Sequence, residues 1–496
     1  MIDVDVPLSP GWWLQRCSDK LRSRMGRLKG LFDRYEGEPF EPDWLATAPD
    51  AAKRFYRSSR TSFAEMIVKA PLRRFKVTSI MTSADQSETG DAEAWKRWKK
   101  AGMLVNSTDL VRTMLIAGDA YAIVGVDDDG EVYATAEDPR QVVTVHDPIR
   151  QEKVRAGAKF FDDPDTRESF AFLYMPGRRY VAKYSGMTGG AGLVPSGRTS
   201  FNAREWVWDE DRGGADGEAW PAGMERFVGV VRFRNDEGVG EFERHEDILN
   251  RIDHVILQAM VVATMQAFKQ RAIKVDPLDM PDHDPETGEL IDYNDIFEAD
   301  PGALWKLPAT ADLWESGQVD LTGILQMAEK ELQRLSAVTF TPLSMFNSDA
   351  VNQSASGAEL VREGLTDKVS ALHDRCQQPF AMVASAVLTL SGLKERADLD
   401  DIKIGYAPPL RYSLYEKAQA GGSGEQSGIP WRTRMAEIWQ FTPEQIERME
   451  TERFTDALMF PQQVAAAPAA RQEVAQEPVD EVVDVTGEGD AGASES

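Results

Sequence analysis

Five histidines, His146, His245, His254, His283 and His373, and a large excess of carboxylates are the residues from which a reaction could be built. The histidines are scattered, and each reads as a structural or surface residue. His245-Glu246 lacks the second histidine that a His-Glu-x-x-His zinc helix needs. The run Asp282–Glu289 has the charge of a calcium loop, but Thr287 stands where that loop needs glycine for its sharp turn. Asp127–Asp129 is better explained as a turn. Cys17 and Cys376 are the only cysteines; they give neither a disulfide framework nor metal spacing, and a reducing compartment fits them. A Gly-x-Ser-x-Gly elbow is absent. So is any Gly-Lys pair, and with it the loop that cradles a nucleotide phosphate. The sequence therefore assigns no catalytic residue, no metal and no cofactor, and the chain reads as a non-enzyme.

Length and charge bound the rest. A chain of 496 residues exceeds one ordinary core and suggests about two to four lobes. The net charge of −26 and pI near 4.7 keep the surface self-repelling. A protein that grips nucleic acid through phosphates usually carries a basic excess; any DNA contact here is expected to be loose, or confined to local basic spots. The first residues carry acids and no basic-then-apolar leader, so no secretory signal is expected. Two uncharged runs, Val255 to Phe268 and Phe380 to Leu393, fall short of the roughly 18 residues of a membrane span. They read as buried helices, with no membrane partner.

The positioning elements follow from periodicity. Residues 11–35 predict a basic amphipathic helix in which Arg16, Lys20, Arg22, Arg24, Arg27 and Lys29 interleave with leucines. Its basic face suits DNA or an acidic partner, or is simply solvated. Helices are expected at 50–70 and 91–101. From about 119 the pattern alternates, predicting strands at Ala120–Val126, Glu131–Ala136, Gln141–Val145, Arg155–Phe161, Ser169–Met175 and Arg179–Tyr184, with Asp129-Gly130 as a hairpin turn. Gly186–Gly197 reads as a mobile loop. A long helix is expected over 243–272, apolar nearly all round in its middle and basic at its end. Such a helix must be buried on every side. Prolines interrupt 275–317, where Ile291–Ala299 and Ala303–Leu307 suit short strands. Helix resumes at 319–338 and breaks at 339–356. It restarts with a Ser356/Glu359 capping box and runs to about 391, with Pro379 expected to kink it. A strand at Asp401–Tyr406, a glycine-rich hinge at Gly421–Gly428, and helices at Trp431–Phe441 and Glu444–Leu458 complete the order. The acidic tail, low in base from Arg471 on, is expected to be disordered.

This order resembles the portal proteins of long-tailed double-stranded DNA bacteriophages. So do the stretches Leu31-Phe32-Asp33-Arg34-Tyr35-Glu36-Gly37, Gly118-Asp119-Ala120-Tyr121 and Gly357-Ala358-Glu359-Leu360. The resemblance spans most of 25–460. It implies an α+β ring subunit with a β-rich wing (1–242, completed by the long kinked helix and return at 357–412), paired stem helices (243–272 and 319–338) and a small α/β clip (273–318). A channel loop (339–356), a helical crown (413–465) and a disordered acidic tail (466–496) would complete it. Twelve copies would form the channel at one capsid vertex through which the genome is packaged and ejected. Asn347, Ser348, Asp349, Asn352, Gln353 and Ser354 would face the DNA. Val255, Leu257, Met260, Val261, Met265 and Phe268 would pack the stems between subunits. The implied partners are double-stranded DNA, the terminase large subunit, a head-tail adaptor, and the major capsid and scaffolding proteins. The implied location is the virion, with assembly in the host cytoplasm. A different head component, minor or scaffold-binding, and a nucleic-acid enzyme with an unrecognised carboxylate site are the alternatives.

Overall fold

The structure is a computed structural model describing residues 2–38, 47, 50–86, 90–127, 129–184, 205–221, 223–267, 271–274, 283, 286–290, 312–315, 317, 320–346, 355–409, 414–439, 441 and 443–459. Met1–Ser413 forms one compact unit and Leu414–Ser496 a second.

The first unit opens with helix α1, Pro10–Tyr35. Ser9 caps it by accepting from Trp12 N–H, and Pro10 fills the first turn, where its missing N–H costs nothing. The segment expected as one helix at 50–70 is two, α2 (Asp50–Ser58) and α3 (Phe63–Leu72), because residues 59–62 leave the helical path. Strand β1 (Val77–Met81) and helix α4 (Ala92–Lys100) follow, α4 capped by buried Asp91. Helix α5, Met103–Ala117, was not foreseen: Asn106-Ser107-Thr108-Asp109 at its start blurs the apolar stripe.

The alternating region forms the strands expected of it. They are β2 (Asp119–Val126), β3 (Val132–Glu137), β4 (Val142–His146), β5 (Val154–Asp162), β6 (Ser169–Met175) and β7 (Arg178–Tyr184), followed by the short β8 (Trp206–Trp208), β9 (Glu218–Ala219) and β10 (Val230–Arg234). One sheet runs β10-β2-β3, and another runs β4-β5-β6-β7-β8 with β9 also on β7; the pairs are antiparallel. The Asp129-Gly130 turn is built as predicted: Asp127 accepts from the N–H groups of Asp129 and Glu131, and Gly130 adopts φ +80°.

The helix expected over 243–272 is shorter. A 3-10 turn at Glu243–His245 leads into α6, Glu246–Ala267. Arg271–Lys274 is instead strand β11, antiparallel to β12 (Asp312–Glu315), with Arg271 in register with Glu315 and Lys274 with Asp312. Arg271 and Lys274, read as the basic end of a helix, thus lie on a strand. Helix α7 spans Thr322–Thr339. Helix α8, Ala355–Leu390, starts one residue before the expected cap at Ser356 and continues through Pro379 as one element. Strand β13 (Lys403–Tyr406) pairs with β1.

Two cores share α1. Its first half lays Trp13, Leu14, Cys17 and Leu21 on Val143, Ala158 and Leu173 of the larger sheet. Its second half brings Leu28, Leu31 and Phe32 into the main core around α8. There Phe380 meets Phe233 edge-on at 4.7 Å and Trp98 at 5.8 Å.

In the second unit, Gly421, Gly422 and Gly424, read as part of a hinge, lie within helix α9, Leu414–Gln426, and Gly428 just beyond it at φ +75°. Gly421 and Gly424 are there for close approach: a Cβ on Gly421 would stand 2.9 Å from Trp439 Nε1. A helical turn at Trp431–Thr433, a π-helical segment at Arg434–Ile438 and helix α10 (Pro443–Met459) complete it. The expectations for Gly186–Gly197, Ile291–Ala299, Ala303–Leu307 and the tail lie outside the described residues.

Candidate functional site

The helices α6 and α7 pack against one another, and the apolar run of α6 is what brings them together. Leu249, Ile252, Val255 and Leu257 of α6 are buried, as is Leu335 of α7. Leu257 is covered by Tyr56 of α2. The cover fails further along α6. Met260 is half-buried, and Val261 is 37% exposed. On α7, Leu325, Met327 and Val338 are exposed as well. Of the six stem positions named from the sequence, Val255 and Leu257 are thus covered by their own chain and Met260 and Val261 only partly. The side chain of Met265 and all of Phe268 lie outside the described residues, as do Asn347, Ser348, Asp349, Asn352, Gln353 and Ser354.

Charge fixes the pair in place. Buried Glu331 of α7 accepts from Arg251 of α6 at 2.9 Å and also pairs with Arg334. Burial pushes this carboxyl up, but the hydrogen bonds and charges of the two arginines outweigh it and hold it below the usual carboxylate range. Asp253 of α6 pairs with Arg34 of α1 at 2.7 Å, both nearly covered; there burial wins and the carboxyl is raised. The basic face of α1, expected to meet DNA, an acidic partner or solvent, is largely used up within the chain. Arg24 donates to Asp119 and to the Tyr121 hydroxyl, Arg27 pairs with Glu243, and Lys20 donates to the Thr144 carbonyl.

Where α6 begins and α7 ends, both meet α8. Lys368 of α8 donates to the Thr339 carbonyl at 3.0 Å and pairs with Glu241, at 2.5 Å. A cation at the C-terminal carbonyls of α7 also suits that helix's dipole. Beside it, burial and the Lys368 charge hold the His245 imidazole below its ordinary pKa. Phe340 ends α7 in the left-handed conformation, φ +52°, with its ring exposed. Thr341 is buried, and Phe346 packs edge-on against Phe63 at 5.8 Å. The chain up to Phe346 is therefore firmly held. Between these elements lies an open cleft of about 580 Å³, lined by Asp236, Glu241, Arg244, Phe340, Asp367, Lys368 and Arg375 among others.

The cleft's cations sit against acids: Lys368 on Glu241, Arg375 on Asp236 at 2.9 Å, Arg244 on Glu237. Nothing in this arrangement pairs a nucleophile with a base. Burial pushes the Cys17 thiol up to about 12 and raises Cys376, so both thiols are inert. Among the described residues no group of His, Cys, Asp and Glu could hold a metal ion, and no helix is long and apolar enough to cross a membrane. Sequence reasoning missed Glu331, Lys368 and Phe340. Glu331 did carry a signal, as an acid beside the apolar stripe of α7; the other two act through distant partners.

A model of the phage portal proteins of the SPP1 Gp6-like kind matches residues 14–457. The chain belongs to that portal family. Membership sets aside a different head component, and the portal family is a structural one. Among solved structures, a chain of the "Virion of native gene transfer agent (GTA) particle" aligns with 84% of this chain and 98% of its own, at 10% identity and TM-score 0.41. A chain of the "Neck of native GTA particle computed with C12 symmetry" aligns over 75% and 87%, at 10% identity and TM-score 0.39. An HK97 family phage portal protein from Corynebacterium diphtheriae aligns over 75% and 98%, at 11% identity and TM-score 0.33. No curated protein matches the sequence. One stretch that carried the resemblance, Gly118-Asp119-Ala120-Tyr121, has structural jobs in this portal chain. Gly118 closes α5 at φ +79° where a Cβ would strike the Gly238 carbonyl, and Asp119 receives Arg24 and Arg232.

Proposed function

We propose that this portal chain is one subunit of a closed ring of twelve at a capsid vertex, through which double-stranded DNA is packaged and ejected. The carrying observation is the α6/α7 pair, which leaves Val261, Leu325 and Met327 in contact with water in a single copy. A ring closes when each subunit presents two different complementary surfaces, and neighbouring stems would complete the cover. Val255, Leu257, Met260, Val261, Met265 and Phe268 then form the stem packing between and within subunits.

The other parts follow. The two-stranded ribbon β11–β12 is marginal alone; as the clip it would gain strands or cover from neighbours and meet the terminase large subunit and later the head-tail adaptor. Asn347, Ser348, Asp349, Asn352, Gln353 and Ser354 are polar and carry no cation, which suits weak, replaceable contacts with moving DNA, since dense Lys and Arg would brake it. Pro379 cannot donate to the carbonyl four residues before it, so α8 would bend there. The energy for packaging comes from the terminase, and the major capsid and scaffolding proteins surround the ring, which assembles in the host cytoplasm and resides in the virion. Negative-stain imaging of the purified chain tests the reading: twelve-fold rings are expected, and a dispersed monomer at micromolar concentration refutes it.

A further inference from the structure

Given the ring reading, we infer that the basic face of α2 docks into the cleft at the foot of α6 and α7 on the neighbouring copy. Lys53, Arg54 and Arg57 lie on α2, with Arg60 just beyond, and Asp50 is the only acid of that helix. Arg54 and Arg57 are exposed, and Lys53 and Arg60 half-buried, while Tyr56 turns inward onto Leu257 of α6. Like charges a turn apart destabilise a helix. Lys53 and Arg54 on this face, in a chain of net charge −26, suit an anionic surface opposite.

The cleft supplies one. Its three cations are already matched with Glu241, Asp236 and Glu237. Asp367 lines it, and Glu363 and Asp374 lie four residues before and seven after on the same exposed side of α8. Among the described residues no ion pair reaches these three acids. The rim adds Val338 and Phe340, both exposed, an apolar ledge for the aliphatic stems of Lys and Arg and an aromatic face for a guanidinium. Phe340 holds its strained φ of +52° beside Gly364, where a Cβ would come within 3.2 Å of its ring. Both surfaces belong to the unit Met1–Ser413, and being different they make a heterologous contact, the kind that propagates around a ring. A DNA duplex would also attract α2, but it would leave the acidic cleft and its apolar rim uncovered.

The test is charge reversal with restoration. In full-length chain at low salt, K53E with R54E should lower the ring fraction, read by mass photometry and negative stain, by roughly ten-fold or more, as loss of close interface charge pairs does. Adding E363K and D367K on the same chain should restore it. Rings unaffected by K53E/R54E, or lost without restoration, overturn the docking while twelve-fold rings of the unaltered chain keep the ring reading. Unaltered chain that forms no ring sinks both. Reduced affinity for a 30-base-pair duplex with rings intact would assign α2 to phosphates instead. Should the reversed chain melt early, an R54C/D367C chain gives an independent answer. Oxidation should produce a ladder of covalent multimers on a non-reducing gel, and its absence overturns the proposal. The native thiols are buried and do not compete.

Discussion

Two seams in this molecule handle their side chains in opposite ways. Along α1, charges that look like a binding face are closed within the chain: Arg24, Arg27 and Arg34 each meet an acid of a later element. Along α6 and α7, an apolar run that looks like core stays partly open, with Val261, Leu325 and Met327 exposed. The contrast teaches that a basic helix in an acidic chain is weak evidence for nucleic acid, because the counter-charges are at hand. An uncovered apolar stripe is stronger evidence for a partner, because water supplies no substitute.

The contrast is broken most sharply at Arg34. Arg34→Met strands the buried Asp253 carboxylate and should cost roughly 3 kcal/mol or more of stability, read by denaturant unfolding; a loss under 1 kcal/mol would mean the α1 seam is not closed. On the other seam, Leu257→Ala should cost about 2 kcal/mol or more, whereas Val261→Ala should change subunit stability by well under 1 kcal/mol and act on ring formation instead. Equal costs at the two positions would show the α6 run to be evenly buried. A pH scan separates packing from charge. Burial holds His373, stacked on Tyr406 at 4.3 Å, down to about 4. Its folded-state pKa lies below the ordinary 6.5, so its contribution is present above that value and is lost as pH falls from 6.5 towards 4. The melting temperature should drop over that window, and His373→Phe should flatten the drop. The smallest effect is expected for Arg251→Ala, which removes a half-exposed partner of Glu331 but leaves Arg334: about 0.5 kcal/mol, by the same unfolding measurement.

Local pattern carried the β region well, since alternation and turn residues such as Asp129-Gly130 act over a few positions. Helix α5 was hidden by its polar start, and the second unit's glycines mislead because Gly421 serves the packing of Trp439 rather than a bend. The end of α6 was misjudged because a strand's worth of Arg and Lys reads like a helix terminus. The candidate site was the least legible part. Arg34 and Asp253 lie 219 positions apart, and nothing in composition or period links Lys368 to the last carbonyls of α7.

The straddling position of α1 also bears on how the polypeptide is made. Its counter-ions, Asp119, Glu243 and Asp253, are translated late, the last past the midpoint of 496 residues. Until residue 253 is made Arg34 has no counter-ion, and until α8 is made the second apolar half-face of this early segment lacks its main partner. Nascent chains stalled before residue 253 should therefore be protease-sensitive at the N-terminus and avid for chaperones, and those stalled beyond α8 should not.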